Sequence, residues 1–185
     1  KYALPPMTLA CQTKYPEDVR LVDSDTSFEC SKQTKKTIDQ IGPILASCSN
    51  NMKQLGLVLK MFAAEDPESS YPGGWAMTIP EYLADTKVLT CPGLDEADNP
   101  GRTVSYELLF PATSETRLIE IVRELGMDNG MKNVMLSAIP VAIETHECAG
   151  SGMNHVLFAD GHVEALDSEA WIERVQPYTV YADAS

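Results

Sequence analysis

The chain has 185 residues, a formal net charge of −13, and 44% hydrophobic and 22% charged residues. That length suffices for one cored domain with an attached segment, and the composition excludes wholesale disorder, collagen and coiled coil. The excess of acid repels phosphate backbones and anionic lipid head groups, so nucleic acid is excluded as an expected partner. No window reaches the roughly 18 to 20 consecutive apolar residues of a membrane-spanning helix. The chain begins at Lys1 without a methionine, and an upstream segment removed by processing is expected.

Residues 1–35 read as an irregular N-terminal arm with Pro5, Pro6 and Pro16, a short strand near Val19 to Val22, and Cys11 and Cys30 positioned for a possible disulfide loop. Residues 36–185 form the expected globular domain. From about Thr34 to Glu65 the apolar positions Ile41, Leu45, Cys48, Met52, Leu55, Leu59 and Phe62 recur at alternating intervals of four and three, the stripe of a long amphipathic helix. Gly42-Pro43 predicts a late start or a kink in it. Five lysines between Ser31 and Phe62 against Asp39 give this stretch a charge of +4 and leave −17 on the rest. A basic helix beside an acidic body favours self-association, and by charge alone it also fits a solvated helix face.

Between Pro67 and Pro100 the chain is rich in turns, with a short helix expected around Pro80 to Ala84. Val104 to Phe110 has strand character, and Ser114 offers an N-cap for an amphipathic helix running to Leu125 and ended by Gly126. Val134 to Ile143 predicts one or two strands interrupted at Pro140. Asp160-Gly161 between two apolar runs is a strong hairpin signal. Read as a two-residue loop, it opposes Phe158 to Val163 and His155 to Leu166, with Val156, Phe158, Val163 and Ala165 on one core face. Asp167 then caps a last helix from Ser168 to Val175, with Trp171 and Val175 turned inward.

The cysteines, Cys11, Cys30, Cys48, Cys91 and Cys148, stand singly, which argues against a zinc ribbon or a redox C-x-x-C site and for structural disulfides in an exported protein. Five thiols leave at least one unpaired, and the spacing selects no pairing. His146, His155 and His162 lie close together with Glu144, Cys148, Asp160 and Glu164 nearby, so three imidazoles and a carboxylate are a candidate zinc or copper site, against a plain polar hairpin face. Glu65-Asp66-Pro67-Glu68 and Asp95-Glu96-Ala97-Asp98 offer calcium oxygens without the alternating spacing of a dedicated loop. No nucleophile elbow, phosphate-cradling glycine loop or H-E-x-x-H helix is present in the sequence, and no catalytic residue is expected.

The run from Cys48 through Asn50-Asn51-Met52-Lys53-Gln54-Leu55-Gly56 to Ala63, then Tyr71-Pro72, Trp75 and Cys91-Pro92, and finally Asn154 to Val163 with its Phe158-Ala159-Asp160-Gly161-His162 core, together resemble prepilin-like proteins with an H-X9-DG C-terminal segment. These are similar to type IV pilins and type II secretion pseudopilins. The histidine that names the segment falls at Gly150 here, with His146 four residues earlier. The resemblance implies an α+β, pilin-like fold: a long N-terminal helix packed on an antiparallel β-sheet, with additional short helices. It implies that Leu45, Met52, Leu55, Leu59 and Phe62 form the assembly and core helix, and that Cys48 pairs with Cys91, leaving Cys11 to Cys30. It further implies a non-enzymatic, exported subunit at the periplasm or cell surface of a Gram-negative-type bacterium. Such a subunit associates with itself or other pilin-like subunits, is anchored in the membrane through a segment upstream, and needs no cofactor. The alternative expectation is a soluble secreted binding module holding zinc or calcium through His146, His155 and His162.

Overall fold

A computed structural model describes residues 24–94, 104–127 and 130–182, with side chains from Ile41 onward except that of Asn133. The expected strand at Val19 to Val22, the acidic run Asp95 to Asp98 and Cys11 of the expected Cys11–Cys30 bridge lie outside the described residues. The protein is a mixed α+β structure around one four-stranded antiparallel sheet in the order β1-β2-β3-β4. The strands are β1 (Tyr106–Leu108), β2 (Pro140–Glu144), β3 (Asn154–Phe158) and β4 (Val163–Leu166). The helices are α1 (Ser24–Glu65), α2 (Glu115–Glu124), α3 (Lys132–Leu136), α4 (Ser168–Arg174) and α5 (Gln176–Ala182). Among the described residues no helix is long and apolar enough to cross a membrane.

Helix α1 begins at Ser24, earlier than the apolar stripe predicts, so the arm boundary drawn at residue 35 falls inside a helix. It runs on through Pro43; Gly42 and Pro43 are both exposed, where water can satisfy the carbonyl that proline leaves without a donor. Along the stripe Cys48, Met52, Leu55 and Leu59 are buried, joined by Val58, while Ile41, Leu45 and Phe62 are half-buried. Gly56 is the point of closest approach to the sheet: a Cβ there would sit 2.8 Å from Cδ1 of Leu157 in β3. The helix-propensity cost of glycine, roughly 1 kcal/mol, is thereby offset by burial of Leu157 against the backbone.

Ser114 and Asp167 cap α2 and α4 as their sequence positions predict, accepting from the backbone N–H of Arg117 and Ala170. Two expectations fail in the connecting region. Residues 134–136 are helical within α3, and Pro140 opens β2 instead of interrupting a strand, a position where its missing N–H breaks no ladder further along. Around Pro80 the chain makes turns between two short 3-10 helices, Trp75–Thr78 and Thr86–Leu89, in place of the expected helix from Pro80 to Ala84. Helix α5 follows α4 without having been foreseen.

The hairpin is one residue out of the expected register. Leu157 faces Val163, Val156 faces Glu164, and His155 faces Ala165. Gly161 alone takes a positive φ, of 95°, while Asp160 does not. Gly161 N–H donates to Phe158 O at 2.8 Å and Phe158 N–H to His162 O at 3.0 Å, which defines a three-residue loop, Ala159-Asp160-Gly161, with Gly161 as the bulge. The Asp160 carboxylate decides this turn by accepting from His162 N–H at 3.0 Å and meeting His162 Nδ1 at 2.5 Å. Because side chains alternate, a slip of one residue exchanges partners between faces. His155 and Leu157 lie on the α1 side and are buried, and the slip sets Val163, half-buried, and Ala165, exposed, opposite them. Val156 and Phe158 face the other side, where Arg174 of α4 lies 4.9 Å over the Phe158 ring and His162 stacks on it at 4.4 Å.

Two outcomes check this packing. Gly56→Val is expected to lower stability by about 1 to 3 kcal/mol in chemical denaturation through overpacking against Leu157, with Leu157→Ala in the same chain recovering part of the loss. Glu164 is held below the usual carboxylate range by hydrogen bonds from Arg174, against the opposing effect of burial, with His162 adding to the lowering. A depressed carboxylate contributes stability above its unfolded value and loses it as pH falls through the folded one. Glu164→Gln should therefore flatten the acid limb of the stability curve, by about 0.5 kcal/mol since the pair is partly solvated.

Candidate functional site: a buried cysteine, carboxylate and imidazole cluster

One row of side chains crosses the α1 face of the sheet. Tyr106 of β1 opposes Glu144 of β2, Ile143 opposes Val156, which places Glu144 beside His155 of β3, and His155 opposes Ala165 of β4. Glu144 and His155 are each 1% exposed. Oε2 of Glu144 accepts from the backbone N–H of His155 at 3.1 Å and lies 2.8 Å from its Nδ1, so one carboxylate oxygen holds both the strand and the ring. The other, Oε1, is buried with no hydrogen-bond partner. The half-buried His146 places Nε2 at 3.7 Å from Oε1. Asn154 fastens this end of the sheet, its amide donating to the carbonyls of His146 at 2.8 Å and Glu144 at 3.3 Å.

Three thiols close over this row from three different parts of the chain. Cys48 comes from α1, Cys91 from the loop after the second 3-10 helix, and Cys148 from a short 3-10 turn, Cys148–Gly150, between β2 and β3. All three are buried and none is in a disulfide. The sulfur of Cys48 lies 2.9 Å from that of Cys91 and 2.8 Å from that of Cys148, and Cys91 and Cys148 are 3.5 Å apart. The expected pair Cys48 and Cys91 is thus adjacent but unbonded. Cys148, which the pairing omitted, stands as close to Cys48 as Cys91 does.

The loop geometry explains the convergence. Cys91 N–H donates to Ser105 Oγ at 2.9 Å, and Gly93 N–H turns back to Cys91 Sγ at 3.3 Å. Gly93 must be glycine: a Cβ there would sit 2.7 Å from Ile44 Cγ2, 2.9 Å from Ala149 Cβ and 3.1 Å from the Ala149 backbone nitrogen. The Cys91-Pro92-Gly93 loop is therefore wedged between α1 and the Cys148 turn. In that turn Ala149 takes a φ of 53° and Gly150 a φ of 66°. Gly150 thus takes a backbone geometry that glycine adopts without strain.

The sulfurs share their protons unequally. Hydrogen bonds from Cys148 and then Cys91 pull the Cys48 thiol down to about 3 against the opposing effect of burial, while Cys91 and Cys148 are pushed above the usual thiol range chiefly by their bonds within the trio. Full burial separates the trio from the exposed, activated cysteines of catalysis and redox sensing.

The sequence-predicted residues divide cleanly. His155 and His146 both approach Glu144, whereas His162 lies on the opposite face, between Asp160 at 2.5 Å and Glu164 at 3.0 Å. The cause is the register: His162 sits in the turn, on the Phe158 side of the ribbon. Within the acidic run 65–68, Asp66 caps the backbone N–H groups of Glu68 and Ser70, and Glu65 accepts from Tyr82 at 2.7 Å. Among the described residues the side chains spaced to hold a metal ion are Cys48, Glu144, Cys148 and His155, and Cys91, Glu144 and His146. The sequence places Glu144 and Cys148 near the histidines but does not bring Cys48 and Cys91 to them, and no local pattern signals that approach across the chain. No protein-family model, curated protein or solved structure matches the chain.

Glu144→Ala is expected to destabilise the protein by about 3 kcal/mol in urea denaturation, because it leaves His155 buried without its partner. Gly93→Ala should cost about 1 to 3 kcal/mol and expose the cysteines to alkylation under native conditions.

Proposed function

We propose that this chain is the globular part of a non-enzymatic, exported pilin- or pseudopilin-like subunit of a cell-envelope filament or secretion apparatus. The observation that carries the reading is where the two segments bearing the resemblance meet. Cys48 to Ala63 on α1 and Asn154 to Val163 in the hairpin are about 100 residues apart in sequence and pack directly on each other. Gly56 receives Leu157, and the ammonium of Lys60 donates to the Asp160 carbonyl at the hairpin turn. A helix serving as scaffold for an antiparallel meander is the plan such a subunit requires.

Two further features fit assembly through α1. Leu57 and Met61, one turn apart, are 61% and 44% exposed, an apolar edge that a second copy would cover. Residues 31–62 of the helix carry a net charge of +4, offset to +1 over the whole of α1 by Asp25, Glu29 and Glu65, and the acidic remainder of a neighbouring copy complements that stretch. An upstream membrane segment would supply the anchor and align successive helices.

A photo-crosslinking amino acid at position 57, in the full-length protein made in its own cell, tests the proposal. The expected result is a ladder of multimers, or adducts with other pilin-like subunits, in the envelope fraction. A monomer free in the periplasm that forms no adduct at position 57 overturns it. A soluble secreted binding module is the second reading, favoured by the buried ligand cluster, and the same fractionation distinguishes the two.

A further inference from the structure

The geometry points to a structural metal centre in which the thiolates of Cys48, Cys91 and Cys148 and the free Oε1 of Glu144 bind one soft divalent ion, zinc by its chemistry, with His155 as the positioning residue. The inference stands apart from the assembly reading, since it needs neither the membrane nor a second subunit.

Three observations carry it. The first is the donor set: three sulfurs within 3.5 Å of one another, drawn from three separate chain segments, all buried. A disulfide can use only two of them and leaves the third as an unpaired thiol in a closed space, whereas a tetrahedral ion uses all three. With Zn–S bonds of about 2.3 Å, sulfurs in a tetrahedron lie about 3.8 Å apart. Each sulfur here would shift outward by only about half an ångström.

The second is Glu144. Its side chain is fully buried, one oxygen is committed to His155, and the other has no hydrogen-bond partner. An orphaned carboxylate oxygen in a dry interior is costly, and a cation removes the cost. Glu144 is also the residue common to both groups of convergent donors, within 4.8 Å of ligand atoms on Cys48, Cys148 and His155 in one and on Cys91 and His146 in the other. Carboxylate oxygen is an established zinc donor beside sulfur, and the His155 bond to Oε2 leaves Oε1 as the oxygen not committed to a hydrogen bond.

The third is electrostatic support of the sulfurs before any ion arrives. Gly93 N–H donates to Cys91 Sγ, and the tight Cys91-Pro92-Gly93 loop aims that amide at the sulfur. Amide donors at a coordinating sulfur stabilise its deprotonated form. No position is left open to water, so the centre is closed and structural, tying α1 to the sheet and to the loops that carry Cys91 and Cys148. Binding displaces the thiol protons, and an ion on all three sulfurs shields them from oxidation.

The full chain, purified under reducing conditions and stripped of metal, should be titrated with cobalt(II) and then zinc(II). The expected result is one cobalt per chain with a sulfur-to-cobalt charge-transfer band and the visible absorption of a four-coordinate ion, displaced by zinc. Cys148→Ser should abolish the charge-transfer band. If that variant fails to fold, Glu144→Gln keeps an acceptor for His155 and should weaken zinc, while His155→Gln should weaken it roughly 10- to 100-fold and alter the cobalt spectrum, a change that loss of packing alone would not produce. The absence of stoichiometric cobalt uptake overturns the proposal. So does a Cys48–Cys91 or Cys48–Cys148 disulfide in peptides of the protein isolated from its cell, or unchanged zinc affinity in Cys148→Ser.

Discussion

The bond between Glu144 and His155 organises this molecule. A carboxylate and an imidazole sit side by side on the α1 face of the sheet, both out of contact with water, and each is tolerable there only because the other is present. Their row also fixes what lies above it. Helix α1 must deliver a small polarisable side chain at that level, and it delivers Cys48. The loop wedged under Ile44 brings Cys91, and the turn with Ala149 and Gly150 at positive φ brings Cys148. Polar groups that would weaken an ordinary core thus serve as the joint between the helix, the sheet and two connecting loops.

Burial on both sides of the sheet follows from the same hairpin. All five residues of β2 are buried, as are four of the five in β3, because α1 covers one face and the α4 region the other. A single bulge at Gly161 sets which face receives the side chains of β4 and, at the turn, His162. His155 and Leu157 turn to α1 while His162 stacks on Phe158 beneath Arg174. A two-residue loop would have exchanged the partners that β4 presents on each face, while the β2–β3 pairing keeps His155 beside Glu144. The turn carboxylate of Asp160, bonded to His162, thus holds β4 in its register against β3.

Much of this architecture was legible in residue patterns that act locally. The alternating three and four spacing of Leu45, Cys48, Met52, Leu55, Leu59 and Phe62 marks the buried side of α1, and Ser114 and Asp167 mark two helix starts, because periodicity and capping depend on neighbours a turn away. Asp160-Gly161 marks the hairpin for the same reason. What failed was register and identity at close quarters: residues 134–136 have β-branched and aliphatic character yet form a helix, and the choice between a two- and a three-residue loop rests on one side-chain hydrogen bond. The chemical site was half visible, as a crowd of histidines and acids near the hairpin and as cysteines adjacent to the helix and to Pro92. Its membership was not, since Cys48 and Cys148 are brought together across 100 residues.

The sequence by itself determined a cored chain with an acidic body, a long amphipathic helix, an Asp-Gly hairpin and two capped helices, because each is written in spacing, charge or turn chemistry over a few residues. Only the tertiary structure decided that Cys148 joins Cys48 and Cys91, that His155 enters the core while His162 leaves it, and that Glu144 keeps an oxygen without a partner. Those outcomes depend on distances between segments remote in sequence, and no local pattern encodes a distance that packing sets.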